Sequence, residues 1–358
     1  MRALAYPELT GVPEPGDHVL LNTGALDLGL GTGGYALVVA IPDRLPPDRP
    51  ESGHLIKARY TPLQATVLGA DEQGSPYHDV LREADDLGGM PVVVADLHSA
   101  LPAIIAAYRA ARLPRETATR AEPPTRAGAA QAPVVAYVML DGGALPAWFS
   151  RAAAALTDIG WLAGTITVGQ SFGGDLEAVT LHTGLLAARH VLGAEMTVVA
   201  QGPGNLGTGT RWGFSGVAAG EAINAAAVLG GRPVGSLRVS QADQRERHQG
   251  ISHHSLTAYG RVALAPADIV VPDLPADFGD FGTELLAAAE VLAGRHNLVR
   301  VGVAGLAEVL RDCPVPLSTM GRGLDEDPAY FLAAAAAGRH AADLITASSG
   351  PGTPGPHT

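Results

Sequence analysis

The pattern of hydrophobic and polar positions changes near residue 90. Before that point, short apolar runs rich in Val and Leu are separated by Gly and Pro, which predicts short strands in a small barrel or an antiparallel sheet. The predicted strands are 17–22, 35–41, 54–60 and 61–68. The sequence therefore predicts a β-rich N-terminal domain over residues 1–88.

From residue 89 onward, apolar strand-like runs alternate with helical periodicity. Strands are predicted at 91–95, 134–140, 163–168, 196–200, 234–239 and 269–271, and helices at 99–112, 145–159, 175–192, 214–229, 252–264, 283–293 and 328–345. This alternation predicts an α/β domain over residues 89–347, with a mostly parallel sheet flanked by helices in a Rossmann-like, three-layer arrangement. Residues 114–132 lack periodicity and predict an exposed loop, and residues 348–358 predict a flexible tail.

Polar residues are concentrated where the predicted strands end. Because ligands of open parallel sheets bind beyond the carboxyl ends of the strands, this edge is the candidate site. Its acid–base candidates are Asp175, Asp243, His253 and His254. Its anion-binding candidates are Gln170, Gly173, Gly174, Gly202, Gly204, Gly207, Thr208, Gly209, Thr210, Arg245 and Arg247. Capping alone also explains Ser99, Asp175 and Ser252, which are preferred helix-capping residue types.

A metal site is a second interpretation of the same edge. His253 and His254 are adjacent, so on a helix their side chains diverge by about 100°, and we expect only one of them to face an ion. His248, His98 and Asp141 are the further candidate ligands. Imidazole with carboxylate suits Zn, Mn or Fe. The sequence contains no H-E-x-x-H or C-x-x-C pattern, so the metal remains unidentified.

Two familiar motifs occur at the predicted edge. Residues 202–207 fit the dinucleotide fingerprint G-x-G-x-x-G, but the predicted helix starts late, and a looser phosphate or carboxylate loop fits better. Residues 169–173 fit the G-x-S-x-G nucleophile elbow of serine hydrolases, with Ser171 as the nucleophile. No oxyanion-loop motif accompanies it, and a small residue in a tight turn explains Ser171 equally well.

Composition narrows the classes of partner. The formal net charge is −12, which disfavours nucleic-acid binding, and no apolar run is long enough to span a membrane. The single Cys313 excludes an internal disulfide, and no signal peptide is evident. We therefore expect a cytoplasmic protein, and the abundance of Ala, Gly, Pro and Arg suggests a bacterial source with a GC-rich genome.

Several longer phrases resemble an uncharacterised bacterial family known as domain of unknown function 3866. They are residues 20–23 with 30–34, residues 57–62, residues 169–175, residues 202–210 and residues 247–255. The resemblance extends over most of the chain and implies no activity.

The sequence supports three functional hypotheses. The first is an enzyme that acts on a small anionic or phosphorylated metabolite, with or without the assistance of a divalent metal. The second is a non-catalytic ligand-binding or sensor protein, and the third is a serine hydrolase that uses Ser171. The apolar helical run 331–337 fits a homodimer interface, and it fits core packing equally well.

Overall fold

The computed structural model describes residues 1–30, 33–47, 53–113 and 132–348, and it divides the chain into two units, Met1–Val67 and Leu68–Thr358. The predicted exposed loop lies outside the described residues except for residue 132. The predicted tail lies outside them except for residue 348.

The N-terminal unit is built from short strands. It contains strands β1 (Ala3–Leu4), β2 (Leu20–Asn22), β3 (Ala36–Ala40), β4 (Leu55–Lys57) and β5 (Ala65–Val67), and helices α1 (Pro7–Thr10) and α2 (Gly24–Asp27). β3 lies between β1, which is parallel to it, and β2, which is antiparallel, while β4 and β5 form a separate antiparallel pair. The prediction of a small β-rich N-terminal region is confirmed.

The second unit contains an eight-stranded, all-parallel sheet. The strands of the sheet are β6 (Pro91–Val94), β7 (Val135–Leu140), β8 (Gly164–Thr167), β9 (Leu176–Glu177), β10 (Met196–Gln201), β11 (Arg232–Ser236), β14 (Asp268–Asp273) and β15 (Asn297–Gly302). Two further strands, β12 (Val239–Ser240) and β13 (Gly250–Ile251), lie outside the sheet. The order in the sheet is β15-β14-β11-β6-β10-β7-β8-β9, and β12 and β13 form a separate antiparallel pair. The predicted α/β fold class is confirmed.

Helices cover both faces of this sheet. They are α3 (His78–Glu83), α4 (Leu101–Arg112), α5 (Arg151–Asp158), α6 (Leu181–His190), α7 (Ala218–Val228), α8 (His253–Thr257), α9 (Phe281–Ala289), α10 (Leu306–Arg311) and α11 (Pro328–Ser348). The core of α4, α5, α10 and α11 lies on one face, and that of α3, α6, α7 and α9 on the other. Val93 belongs to the first core and Val92 and Val94 to the second, which is why the strand is apolar throughout.

The division between the units lies at residues 67 and 68, before the boundary near residue 88 that the sequence pattern suggests. Ala70, Leu81 and Leu87 are buried in the core of the second unit. The Ala70 amide also donates to the Glu177 carbonyl, and the Leu87 amide donates to the Leu229 carbonyl. Residues 68–88 therefore pack with the sheet domain.

Both edges of the sheet differ from the sequence-based prediction. Asp175 precedes the short edge strand β9, and the helix expected from residue 175 begins only at Leu181, where the Thr180 side chain caps it. The strand β15 was not predicted, because its charged and amide positions, Asn297 and Arg300, interrupt the apolar run and it lies at the sheet edge.

The run from Phe331 to Ala337 is buried within the second unit, where α11 packs against α4. This segment is therefore part of the core and is not available as a dimer interface. None of the helices in the described part of the chain is both long and apolar enough to cross a membrane.

Gly338 marks the closest approach of α11 to α4. A Cβ added at this position would lie 2.0 Å from the Ile104 carbonyl oxygen, whereas one added at Gly282 in α9 would meet its nearest atom at 3.5 Å. We predict that Gly338→Ala lowers the free energy of unfolding by about 1–3 kcal/mol through overpacking. Gly282→Ala should leave it unchanged or raise it by up to about 1 kcal/mol. Denaturant titration of both variants measures the difference, and equal stability would contradict the close packing.

Candidate metal centre

Three histidines converge beyond the sheet. His248, His253 and His254 each offer one ring nitrogen, and these three nitrogens lie within 4.8 Å of one another. The rings of His253 and His254 have centroids 4.4 Å apart in an edge-to-face arrangement. The expectation that the two adjacent histidines diverge is wrong, because both lie in the first turn of α8, where side chains can reach past the helix end toward one point.

The antiparallel pair β12–β13 brings His248 back to the start of α8. Val239 pairs with Ile251, and Ser240 pairs with Gly250, so the connecting residues form a hairpin loop that ends in a 3-10 turn at Glu246–His248. Ser252 then caps α8, with its Oγ accepting from the His254 amide. The capping interpretation of Ser252 therefore holds, and the cap also lies beside the histidine cluster.

The hydrogen bonds among the described residues leave at least one nitrogen of each ring without a partner. His248 Nδ1 lies 2.7 Å from Ser252 Oγ. His254 Nδ1 lies 3.3 Å from Arg238 Nη1 and 3.4 Å from Asp96 Oδ2. His253 Nε2 is buried and has no hydrogen-bond partner among the described residues. A buried nitrogen without a partner is costly, so it is a position at which a bound ion would remove a penalty.

Burial keeps two of these rings neutral. Desolvation, and after it the charges of Arg238 and Arg245, lower the pKa of His248 to about 3. Desolvation, followed by the neighbouring His254 and by Arg247, lowers the pKa of His253 to about 4. Neutral imidazole is the form that binds metal ions, so these rings are competent ligands at neutral pH.

An aromatic side chain fixes the plane of His254. The Phe214 ring is stacked on it, with centroids 3.8 Å apart and an angle of 4° between the planes. Phe214 is buried at the end of a short hairpin that follows β10, and Gly207 bridges to it at the other end. Asn205, just before that hairpin, places its Nδ2 3.5 Å from His254 Nδ1.

The cluster lies where the chain leaves neighbouring strands toward opposite faces of the sheet. The chain after β6 continues into α4 on one face, whereas the chains after β10 and β11 continue to helices of the other face. Asp96, Gln201 and Arg238 are the buried polar residues that follow or end these three strands. This is the topological switch point at which parallel sheets bind ligands.

Asp243 organises arginines and does not contact the cluster nitrogens. Its carboxylate accepts two hydrogen bonds of 2.8 Å from Arg245 and lies 3.5 Å from Arg238 and 3.4 Å from Arg322. The hydrogen bonds from Arg245 hold the pKa of Asp243 well below its usual range. A carboxylate in this state is a poor general base, and it already binds the Nε and Nη2 donors of Arg245.

Asp175 lies away from the cluster, at the far side of the sheet. Its Oδ2 accepts a 2.7 Å hydrogen bond from the Thr165 amide, and it directly precedes β9, four strands from β6. Four inter-strand spacings amount to about 19 Å, so Asp175 does not share a pocket with the histidines.

The loop from Gly169 to Gly174 serves the same edge. The Gln170 amide donates to Asp141 Oδ2, and the Gly173 amide donates to Glu177 Oε1. A Cβ on Gly174 would lie 2.7 Å from the Thr165 carbonyl oxygen. The carboxylate of Asp141 therefore binds backbone amide groups. The loop from Gly169 to Gly174 stabilises the end of the sheet near β9 and does not contribute to the histidine cluster.

Two further candidates are accounted for by hydrogen bonds inside the fold. His98 has Tyr137 Oη at 3.1 Å from Nδ1 and Ser150 Oγ at 2.8 Å from Nε2, so neither ring nitrogen is left for a metal. Ser171 is fully buried, donates to the Leu140 carbonyl at 3.3 Å, and is followed by a strand instead of a helix. The nucleophile-elbow interpretation lacks both the exposed hydroxyl and the strand–turn–helix context that it requires.

The glycine-rich loop packs against its neighbours. A Cβ on Gly202 would lie 2.4 Å from the Ala144 carbonyl oxygen, so this glycine is needed for close passage of two loops. The Thr208 amide donates to the Gly213 carbonyl, and the Thr208 and Thr210 hydroxyls lie 3.1 Å apart. Gly204 and Gly209 have positive φ angles and serve the turns of this hairpin, together with Gly207. The Thr208 amide and both threonine hydroxyls are therefore bonded within the hairpin.

Arg247 is the anion-binding candidate that keeps an available charge. It is exposed and makes no hydrogen bond or ion pair with any residue that the structure describes. Its guanidinium lies close to Gly209, with Cζ 3.9 Å from a Cβ built there, and its charge contributes to the lowered pKa of His253. Arg247 therefore lies at the rim of the cluster with its guanidinium unpaired.

The sequence pattern assigned no role to Arg238, Phe214, Asn205 or Asp96. Arg238 lies near the end of the predicted strand 234–239 and resembles an ordinary surface cation, yet only 5% of its side chain is exposed. The one usable signal was the spacing of three histidines within residues 248–254, directly after the Asp243 turn.

The neutral histidines make stability depend on pH. His98, His248 and His253 take up protons in the folded state only near pH 4, 3 and 4, whereas the unfolded chain takes them up near the ordinary pKa of about 6.5. Unfolding of the metal-free protein should therefore become easier as pH falls from about 6.5 to 4, by about 2 kcal/mol per fully buried histidine at pH 5. Denaturant titrations at pH 7, 6 and 5 measure this, and His98→Gln should remove the share of one histidine. A free energy of unfolding that is constant from pH 7 to 5 would contradict the assignment.

Comparison with known proteins places the chain in a family. No curated protein sequence and no solved structure matches it significantly. One family model, described as "Protein of unknown function (DUF3866)", matches residues 2–338, which is nearly the full chain. The predicted resemblance is confirmed, and the chain belongs to the DUF3866 family.

Proposed function

We propose that this protein is a metal-dependent enzyme that acts on a small anionic substrate at the histidine cluster. The observation that carries the proposal is the convergence of His248, His253 and His254, whose nitrogens lie within 4.8 Å of one another at the switch point of the sheet. Three protein ligands with an open position are the arrangement typical of catalytic zinc sites, whereas structural sites use four.

The donor set fits a divalent ion such as zinc. Zinc–nitrogen bonds of about 2.0–2.1 Å require nitrogens about 3.4 Å apart, so modest rotations of the three rings would complete the site. Two of the rings are held neutral by burial, and His253 Nε2 has no competing partner in the described part of the chain. An ion held there would supply a Lewis acid and activate water for hydrolysis.

The side chains around the cluster support an anionic substrate. Arg247 carries an unpaired charge at the rim. The buried carboxylates of Asp96, Asp243 and Asp327 are balanced by three guanidiniums, those of Arg238, Arg245 and Arg322. Three neutral imidazoles with a divalent ion would add an uncompensated double positive charge. An anionic group on the substrate would neutralise it and pair with Arg247.

Metal analysis tests the centre directly. Purified protein should bind about one equivalent of Zn²⁺, and His253→Ala should lower the affinity at least about 100-fold, because it removes a ligand and not only a supporting contact. His182→Ala is the matched control, since His182 lies exposed on α6. Isothermal titration with Zn²⁺ and elemental analysis give both values. Equal metal binding by the two variants would contradict the proposed centre.

Turnover by the zinc-loaded protein tests the enzyme and its substrate class together. Against a panel of small phosphate and carboxylate esters and their uncharged analogues, we expect hydrolysis only of anionic members. Arg247→Ala should raise KM about 10- to 100-fold with a smaller change in kcat, because a charge-assisted hydrogen bond is lost. Arg211→Ala, which changes another exposed arginine, on the hairpin itself, should have little effect.

Two results would contradict this assignment. Equal KM values for the Arg247 and Arg211 variants would remove Arg247 from substrate binding. Tight, metal-dependent binding of anions without any turnover would favour the non-catalytic ligand-binding protein instead.

A further inference from the structure

Asp96 is a buried carboxylate with one oxygen left over. It follows β6, and only 3% of the residue is exposed. Its Oδ2 makes no hydrogen bond within the described residues, although it lies 3.4 Å from His254 Nδ1 and 3.9 Å from Arg238 Nη1. A buried oxygen in this position can accept a hydrogen bond from a ring nitrogen that carries a proton.

His254 Nδ1 is surrounded by more donors than acceptors. Arg238 Nη1 lies 3.3 Å away, and Asn205 Nδ2 lies 3.5 Å away. The orientation of the Asn205 amide follows from its other end, because Oδ1 accepts a 2.9 Å hydrogen bond from Ser215 Oγ. Arginine can only donate, so in this arrangement Nδ1 accepts, and the proton of the neutral ring is on Nε2.

A metal ion on Nε2 requires the other tautomer. The ring proton must then be on Nδ1, which donates in turn, and Asp96 Oδ2 is the acceptor within reach. A histidine ligand is commonly supported in this way by a carboxylate that fixes its tautomer and raises its basicity. The ring stays neutral throughout, and the proton is moved from Nε2 to Nδ1.

We infer that Asp96 is the positioning residue that selects the metal-binding tautomer of His254, so that metal loading and the Asp96–His254 hydrogen bond form together. This inference rests on the proposed metal centre. Phe214, stacked on the ring, keeps its plane constant while the proton moves, and Arg238 remains paired with Asp243 at 3.5 Å when it gives up Nδ1.

Two substitutions of Asp96 separate the hydrogen bond from the charge. Asp96→Asn removes the charge and keeps a carbonyl acceptor, whereas Asp96→Leu removes both in a similar volume. We expect Zn²⁺ affinity to fall 10- to 100-fold in the leucine variant and clearly less in the asparagine variant.

Asp327→Asn is the matched control. Asp327 is fully buried, also has one oxygen without a hydrogen bond in the described part of the chain, and pairs with Arg322 and Ser240 but with no histidine. Its neutralisation should change Zn²⁺ affinity less than threefold. Equal losses in the two Asp96 variants, or a loss in Asp327→Asn as large as that in Asp96→Leu, would overturn the role of Asp96.

A measurement on the unchanged protein keeps the inference testable if the leucine variant does not fold. In ¹⁵N spectra of the histidine rings, His254 should carry its proton on Nε2 without metal and on Nδ1 with Zn²⁺ bound. The same tautomer in both states would overturn the inference while leaving the metal centre intact. Failure of the unchanged protein to bind Zn²⁺ at all would overturn the proposed function as well as the inference.

Discussion

The buried guanidinium of Arg238 is the constraint around which the site is arranged. It is removed from water beside two carboxylates, Asp96 and Asp243, and beside the ring of His254. A buried charge is tolerated only where its partners are in place, and loss of one partner is strongly destabilising. The chain fixes the backbone of Arg238 as well, because its amide donates to Ser255 Oγ and its carbonyl accepts from the Ser252 amide. The ends of β6 and β11 and the start of α8 are thereby held together.

The α/β class and the sheet edge could be predicted because both follow from local patterns. Buried parallel strands are continuous apolar runs, and polar residues after them are easily recognised. The pairing of loops across the sheet could not be predicted, because it depends on strand order. Asp175 and His253 both follow predicted strands, yet the order of the strands separates them by four positions or more. The sequence-based candidates follow five predicted strands, and the topology brings together the ends of β6, β10 and β11.

The glycine motifs show why a pattern of residue types is weaker than a pattern of contacts. Gly202 and Gly174 stand where another backbone passes so closely that any side chain would collide with it. Close packing of loops and phosphate binding both require glycine, so a glycine motif in the sequence does not distinguish between these two roles. What distinguishes them is whether the surrounding amides are already bonded, as the Thr208 amide is. Likewise, the divergence expected for His253 and His254 assumed the interior of a helix, and the first turn does not impose it.

The balance of charge links the centre to its substrate. The sequence has a net charge of −12, yet the three buried carboxylates around the candidate site are matched by three guanidiniums. Burial also holds two of the three histidine rings neutral. Because the three histidine ligands contribute no negative charge, a divalent ion bound by them would keep its full charge toward the open position. An anionic fourth ligand is then favoured. Arg247, on the rim beside Gly209, would also favour an anionic group on the substrate. Asp96 belongs to the layer behind the ligands, where its charge supports His254 without occupying the position that a substrate needs.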